Sequence, residues 1–475
     1  MGWNAPCGTC DAPAKATFLN IKTFAGFFSC PKCLIVGEKS DESDDVMVFP
    51  HEESLELRTR VNYDKHLEEV MASTVDSVAG IKGPTILDSM LTYFMFDSTS
   101  IDSLHCLYIG ITKQIFRLLF DKTFKGEPFS LHQFTDKVNS RLLALHLPHF
   151  VQRVTLPVDK LYLWKGTLCR NVFFHMMLPV LNGIMADNYF RNIVDLVDGV
   201  SILNSDSISV EDITYAGLVL SRFCANFQQL YGKRHMSSNL HLLRHLHECV
   251  SDLGPLFFSS TFTFEDLNGK LANLAHGTRH AGLQIAKHLN LFSDLDLKVS
   301  ELPEGLPKSF CEKISKKSRL CISEKISENM FIVGNYDNAP NAFCDCIGNR
   351  LSVVFGEPCN FSTFSRAFYN KQLFVTSSYT RGSRVSSFIK CNDSGHVFLA
   401  EILSFVRVNM AFSQDVLVLL REIQVESFSV RHMKKVVGFA EPKLVALHDL
   451  VSVCFKILVD DCIYVSEPLN TFEME

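Results

Sequence analysis

The chain has 475 residues, enough for two or three domains that each bury a core. Its composition, 47% hydrophobic and 21% charged, excludes an intrinsically disordered chain. The formal net charge of −6 does not indicate a nucleic-acid-binding protein, although a basic groove can lie on an acidic molecule.

The residue patterns change three times along the chain. Residues 1–60 contain a helix candidate and a cysteine-rich loop, and over 61–300 the apolar residues recur at helical spacing. Residues 301–335 combine two prolines with the basic run KISKKSR and have the character of a linker. From 336 to 475 the chain predicts a small β-rich domain, with strands at LSVVF, QLFVTSSY, HVFLAEILSFVRV and VCFKILV.

The helical region has its clearest pattern before Gly232, which is a suitable C-terminal stop. One buried helix face is predicted there, formed by Ile213, Leu218, Leu220, Phe223, Phe227 and Leu230. Further helices are expected over roughly 101–120, 160–182, 237–250 and 264–275.

The start of the chain has no basic and apolar signal segment, and no apolar stretch is long enough to cross a membrane. We therefore expect the sixteen cysteines to be reduced thiols in the nucleus or the cytoplasm.

Four of these cysteines form two CxxC motifs, Cys7/Cys10 and Cys30/Cys33. Their spacing matches a four-cysteine zinc site, in which four thiolates bind one ion tetrahedrally. The CPKC motif of Cys30 and Cys33 is the better half, because CGTC lies where a strand is expected to run into Asp11. Zinc binding by Cys30 and Cys33 alone, or four buried free thiols, are the alternatives.

Three other positions carry polar groups suited to chemistry. Asp11 has the pattern of a helix N-cap, a place where a carboxylate can also hold a metal. Asp102 and His105 lie three residues apart on one helix face, either as a cap with its histidine or as a metal or catalytic pair. Glu265 is placed in the first turn of a helix by the capping-box pattern of Thr263 and Asp266.

The histidine-rich segment RHMSSNLHLLRHLHE contains His241 and His245, four residues apart. No glutamate follows His241 as a zinc protease motif requires, so we expect packing or surface histidines there. The chain also has no GxSxG, Walker or GxGxxG motif, which excludes the commonest hydrolase and nucleotide-binding sites.

Several blocks together resemble the CACTA (En/Spm) family of DNA transposases, in the same order and rough spacing. They are CDAPAKA, NIKTFAGFFSCPKCLIVGE, AGIKGPTIL, IDSLHCLYIGITKQIF, LWKGTLCRNVFFHMMLPVL, and LYGKRHMSSNLHLLRHLHECVSDLGPL with FTFEDLNGKL. The β-rich end is similar to the tail of the same proteins, so the resemblance spans nearly the whole chain.

The resemblance implies an α+β protein: a truncated RNase H-like nuclease fold with a large all-helical insertion and a small β-rich C-terminal domain. The nuclease fold would supply residues 1–60 and its last helices over 255–300, and the insertion would occupy 61–254. In this fold three acids hold two Mg²⁺ or Mn²⁺ ions for phosphodiester cleavage and transfer.

The family motifs assign a role to each candidate residue. Asp11 matches the second catalytic acid, and Glu265 matches the best candidate for the third. Asp102 and His105 match the DxxH of the insertion, with DSLH in place of DYMH. Cys30 and Cys33 match the CxxC of the family, which has no counterpart of CGTC.

The first catalytic acid of the family lies well upstream of the block that holds Asp11, and this chain begins ten residues before Asp11. The sequence thus predicts a transposase-derived protein that is inactive alone. Its expected partner is DNA, in the form of transposon ends, with a homo-oligomer as a further option and no membrane. The alternatives are a domesticated DNA- or chromatin-binding protein without catalysis, and a degenerate reading frame.

Overall fold

The structure is a computed structural model that describes residues 7–40, 43–90, 94–277, 279–315, 322–337, 343–356, 360–379, 384–409 and 414–470. It is a mixed helical and β-sheet protein, with most helices before residue 316 and most strands after 321. Among the described helices, none is both long and apolar enough to cross a membrane.

The helical region consists of short and medium helices, two of which are continued by π-helical turns. The π-helical segments are Leu104–Thr112 and Val172–Met176. In chain order the α-helices are α1 (Ala12–Phe18), α2 (Arg60–Ala72), α3 (Lys113–Phe120), α4 (Thr135–Leu143), α5 (Gly166–Asn171), α6 (Met177–Leu181), α7 (Asp187–Leu203), α8 (Val210–Tyr231), α9 (Ser238–Leu242), α10 (Leu246–Leu253), α11 (Phe262–Ala272), α12 (Ala281–Glu301), α13 (Leu306–Ser315) and α14 (Cys344–Phe355).

The strands form one hairpin and two antiparallel sheets. The hairpin pairs β1 (Glu38–Ser40) with β2 (Ser43–Val48). The remaining strands are β3 (Ile322–Ser327), β4 (Met330–Val333), β5 (Asn360–Phe364), β6 (Arg366–Tyr369), β7 (Gln372–Val375), β8 (Phe388–Asp393), β9 (His396–Asn409), β10 (Gln414–Phe428), β11 (Val430–Phe439), β12 (Lys443–Ala446), β13 (Leu450–Val453), β14 (Phe455–Val459) and β15 (Cys462–Ser466).

The larger sheet has the strand order β13-β8-β9-β10-β11-β15-β14, with β5 paired to β9 and β12 to β10. The smaller sheet has the order β3-β4-β6-β7. The long strand β9 covers HVFLAEILSFVRV, as the sequence predicts, and it pairs with the equally long β10.

One apolar core joins the helical region to the last strands. Met433, Phe455, Ile457 and Tyr464 of the larger sheet pack in the same core cluster as Phe173 of the second π-helical segment. Buried Arg141 of α4 reinforces the junction, since its guanidinium donates to Asp460 at 2.6 Å and to the Val180 carbonyl at 2.6 Å. The helices and one face of the last strands therefore share a hydrophobic core.

One expected strand is wrong, and the predicted linker contains regular secondary structure. The predicted linker at 301–335 contains α13 and the hairpin of β3 and β4; Pro307 occupies the second position of α13, where proline is tolerated. The run LSVVF is the end of α14 and not a strand, and Gly356 terminates that helix with a φ of 75°. Residues 316–321, which include part of the basic run, lie outside the described residues.

A buried histidine at the junction gives a prediction for stability. His432 of β11 is buried and donates from Nε2 to the Phe174 carbonyl at 2.9 Å, and burial lowers its pKa from 6.5 to about 4. Below pH 6.5 the unfolded chain takes up a proton that the folded chain does not, so stability is lost as the pH falls from 6.5 towards 4. The loss from this residue is about 3 kcal/mol.

Urea unfolding at a series of pH values tests this expectation. His432→Gln keeps an amide donor for the Phe174 carbonyl and cannot titrate, so its free energy of unfolding should fall less steeply between pH 6.5 and 4. His448→Gln, at an exposed position, is the control and should follow the wild type. Equal slopes for His432→Gln and the wild type would contradict the assignment.

Candidate metal centre and adjoining pocket

Two cysteines and two histidines form a buried cluster between the N-terminal segment and the helical region. Cys30 and Cys33 lie in the CPKC loop, His241 lies in α9, and His245 ends the short 3₁₀ turn that follows it. One donor atom from each of the four residues lies within 4.8 Å of the other three, and all four side chains are buried. The Cys33 Sγ lies 3.2 Å from the His241 Nε2.

Neighbouring groups hold these donors in place. The Lys32 amide donates to the Cys30 Sγ at 3.4 Å, and the Arg58 guanidinium donates to the Cys30 carbonyl at 2.8 Å. A carboxylate oxygen of Glu248 lies 2.8 Å from the His245 Nδ1, which leaves the His245 Nε2 directed at the cluster. A carboxylate behind a histidine is a common support for a metal ligand.

The pKa values of the cluster residues are shifted by burial and by the other members of the cluster. Burial raises the pKa of the Cys30 thiol, but the hydrogen bond from Cys33 and the nearby histidines outweigh burial and bring it well below its usual value. The hydrogen bond to Cys30, together with burial, raises the pKa of Cys33. Burial lowers the pKa of His245, yet the Cys30 thiolate and the Glu248 carboxylate outweigh it and raise that pKa to about 9.

The donor set can hold a metal ion. Two sulfur and two imidazole donors converge there, and all four side chains are buried. Cys7 and Cys10 are not members of this group: Cys7 is exposed, and Cys10 lines the pocket beside the cluster without joining its four donors. Within the described ranges, the four-cysteine arrangement considered from the sequence is therefore not formed.

The histidine partners were missed at the sequence level. The signal was present, because an HxxxH pair beside a CxxC pair is a common ligand set for a structural metal. In a short metal-binding module the two pairs are close in sequence, whereas here Cys33 and His241 are separated by 208 positions. His241 and His245 thus correct the expectation of packing histidines.

A pocket of about 340 Å³ adjoins the cluster and brings three of the predicted residues together. Asp11, Asp102 and His105 all line it, and Cys30 and His241 of the cluster line it as well. Asp11 is the N-cap of α1, as predicted, and its carboxylate accepts from the Ala14 amide at 2.9 Å. The CPKC loop and the Asp11 turn are thus two sides of one cavity.

Asp102 is buried and fully engaged in hydrogen bonds. One carboxylate oxygen accepts from the amides of Leu104 and Thr261, and the other accepts from the amide and the Nδ1 of His105, the latter at 2.5 Å. Burial raises the pKa of Asp102, but these hydrogen bonds outweigh it, and the pKa lies below its ordinary value. The carboxylate therefore both caps the helix and orients His105.

Glu265 lies in the first turn of α11, as predicted, but the helix begins differently. Thr261, not Thr263, is the N-cap residue, because the Asp102 carboxylate takes the Thr261 amide. The Glu265 side chain is exposed. The hydrogen bond to Asp102 raises the pKa of His105, and the Glu265 and Asp11 carboxylates raise it further, so both acids lie within electrostatic range of that imidazole.

The structure does not gather these acids into a compact ligand set. Over the described ranges, the one group of three or more close metal-ligating side chains is the cluster of Cys30, Cys33, His241 and His245. The Asp11 and Glu265 carboxylates each raise the pKa of His105. Neither belongs to the group of converging metal-ligating side chains in the described residues.

Replacing Asp102 tests its control of His105. In Asp102→Asn the charge is lost, so the pKa of His105 should fall, and the broken buried network should cost about 2 kcal/mol of stability. Histidine resonances followed by NMR titration give the pKa, and urea unfolding gives the stability. Asp121→Asn, which also removes a capping carboxylate, is the control and should leave the His105 resonance unchanged. An unchanged titration in Asp102→Asn would contradict this role.

No protein-family model matches this chain, and no curated protein matches it.

Proposed function

We propose that the protein is a transposase-related protein of the CACTA type that acts on DNA in the nucleus. In this proposal the pocket of Asp11 derives from an RNase H-like nuclease centre. One observation carries it: Asp11, which matches the second catalytic acid of the family, lines one pocket with Asp102 and His105 of the DxxH motif, although Asp11 lies far from both in the sequence. Glu265, the fourth assigned residue, acts on the His105 imidazole from α11.

The cluster of Cys30, Cys33, His241 and His245 is proposed to bind one Zn²⁺ as a structural site. Two thiolates and two imidazoles are the ligand set that favours zinc, and a set of four protein ligands leaves no open position for chemistry. The Glu248 carboxylate behind His245 supports the same assignment. The ion would fix the wall of the pocket that faces Asp11.

The proposed role of His105 is to present a positive charge to a DNA phosphate. Its hydrogen bond to Asp102 raises its pKa and so favours the imidazolium form, and the same contact holds its Nδ1. Asp11 and Glu265 are the carboxylates proposed to hold Mg²⁺ or Mn²⁺. Asp102 is unsuited to this role because both of its oxygens are engaged in hydrogen bonds.

This shortage of carboxylates favours a second candidate function. Two-metal cleavage needs a shared bridging acid. In the part of the chain that the structure describes, Asp11 and Glu265 are the two acids available near His105. A domesticated protein that binds DNA or chromatin without cleaving it accommodates the same geometry.

Metal analysis of the purified protein tests the structural site. We expect about one zinc per chain, and Cys30→Ser should lose nearly all of it because a three-ligand buried site binds zinc far more weakly. Cys7→Ser is the matched control, since it removes a cysteine of the other CxxC motif and should keep the zinc. Full zinc occupancy in Cys30→Ser would exclude the assignment.

Manganese binding tests the carboxylates. Electron paramagnetic resonance titration should detect weak Mn²⁺ binding that Asp11→Asn or Glu265→Gln reduces roughly tenfold or more. Asp187→Asn, an exposed acid in the first turn of α7, is the control. We expect no metal-dependent nicking of DNA that carries transposon ends. Robust nicking that is lost in Asp11→Ala would show that another acid completes the centre.

A further inference from the structure

A second cavity, with a volume of about 970 Å³, opens on the helical region beside α3. Four basic side chains line this groove, from α3, the turn after it and the turn after α8: Lys113, Arg117, Lys122 and Arg234. Its acidic lining residues are Asp121 and Asp159. The groove is thus lined by four cationic groups and two anionic ones.

This excess of positive charge contrasts with the rest of the molecule. The whole chain has 46 lysines and arginines against 52 aspartates and glutamates, so a cationic groove is a local departure from its charge. The Arg117 side chain is 70% exposed, and its nearest oxygen on Asp121 is 3.9 Å away, too weak a pair to neutralise it. A groove of this charge complements a polyanion.

An exposed aromatic ring lies on the same groove. Tyr162 lines it from a 3₁₀ turn, Val158–Leu163, and is 76% exposed. A large aromatic side chain left in water beside basic groups is the combination that binds unpaired bases, because the ring stacks on the base while the cations contact the backbone. Duplex DNA keeps its bases stacked on each other and offers no such partner.

The groove adjoins the pocket of Asp11. Gly110, in the first π-helical segment, lines the groove, whereas His105 and Asn239 line the pocket. A Cβ atom on Gly110 would fall 2.4 Å from the Asn239 side-chain nitrogen and 2.7 Å from the His105 carbonyl oxygen. The π-helical segment that carries both His105 and Gly110 therefore borders the two cavities.

We propose that this groove binds a single-stranded segment of DNA. Phosphates contact Arg117 and Lys122, one base stacks on Tyr162, and the strand leads towards the pocket of Asp11. The direction of the strand rests on the proposed function, whereas binding in the groove does not.

Fluorescence anisotropy with a labelled oligonucleotide of about sixteen thymidines tests the groove. The affinity of the wild type should fall steeply between about 50 and 200 mM salt. Arg117→Gln and Lys122→Gln should each reduce the slope of log affinity against log salt by about 0.7, because each removes one phosphate contact on a single strand. Tyr162→Ala should weaken binding roughly fivefold to a hundredfold, and Tyr162→Phe should bind as the wild type does.

Arg191→Gln is the matched control for Arg117→Gln. Arg191 is 80% exposed and faces Asp187 four residues away, the same arrangement as Arg117 with Asp121, but on α7. Its salt dependence should equal that of the wild type. The proposal is overturned if the wild type does not bind, if the groove variants behave as Arg191→Gln does, or if a duplex of the same length competes more strongly than the single strand.

The manganese titration at Asp11 and Glu265 uses no DNA, so the two proposals fail separately. Oligonucleotide binding without manganese binding would support the groove proposal and contradict the proposed metal site at Asp11 and Glu265. Manganese binding without oligonucleotide binding in the groove would support the metal site and contradict the groove proposal.

Discussion

The convergence of Cys30, Cys33, His241 and His245 is the constraint on which the position of the N-terminal segment depends. The apolar clusters of that segment are small, one around Ile35 and Phe49 and another around Leu19 and Tyr63. Cores of this size are marginal by themselves, and long-range hydrogen bonds add to them, such as that from the Phe49 amide to the Met236 carbonyl. Four donors that meet across a separation of 208 residues close a very long loop, and they set the distance between the CPKC loop and α9.

Asp102 connects the first π-helical segment to the start of α11 through hydrogen bonds alone. Its carboxylate starts one helix at Leu104, receives the amide that precedes α11 and holds the imidazole of His105. The relation between Glu265 and His105 therefore depends on a buried charge that sits between two helix starts. Such a hydrogen-bonded connection fixes the relative orientation of two helices better than apolar packing does, because hydrogen bonds weaken steeply when their angles change.

Local patterns predicted much of the fold, and long-range partners explain what they missed. The Asp11 cap, the end of α8 at Gly232 and the strand β9 all follow from residues within a few positions of each other. The face predicted for α8 was correct except at Leu218, which is exposed. LSVVF was misread because its valines are typical of strands. Its helical structure depends on tertiary packing, since α14 packs Ile347 and Leu351 against β9 and β10. The role of His241 and His245 depends on cysteines two hundred residues away, which no local window contains.

The core shared by Phe173, Met433 and Tyr464 has a consequence for biosynthesis. A nascent chain emerges from its amino end, and the helices around Phe173 leave the ribosome long before the strand that carries Tyr464. Until that strand arrives, the helices expose apolar surface that only the last strands can cover. We therefore expect the central part to remain dependent on chaperones during translation and to become compact only after the final strands have been released.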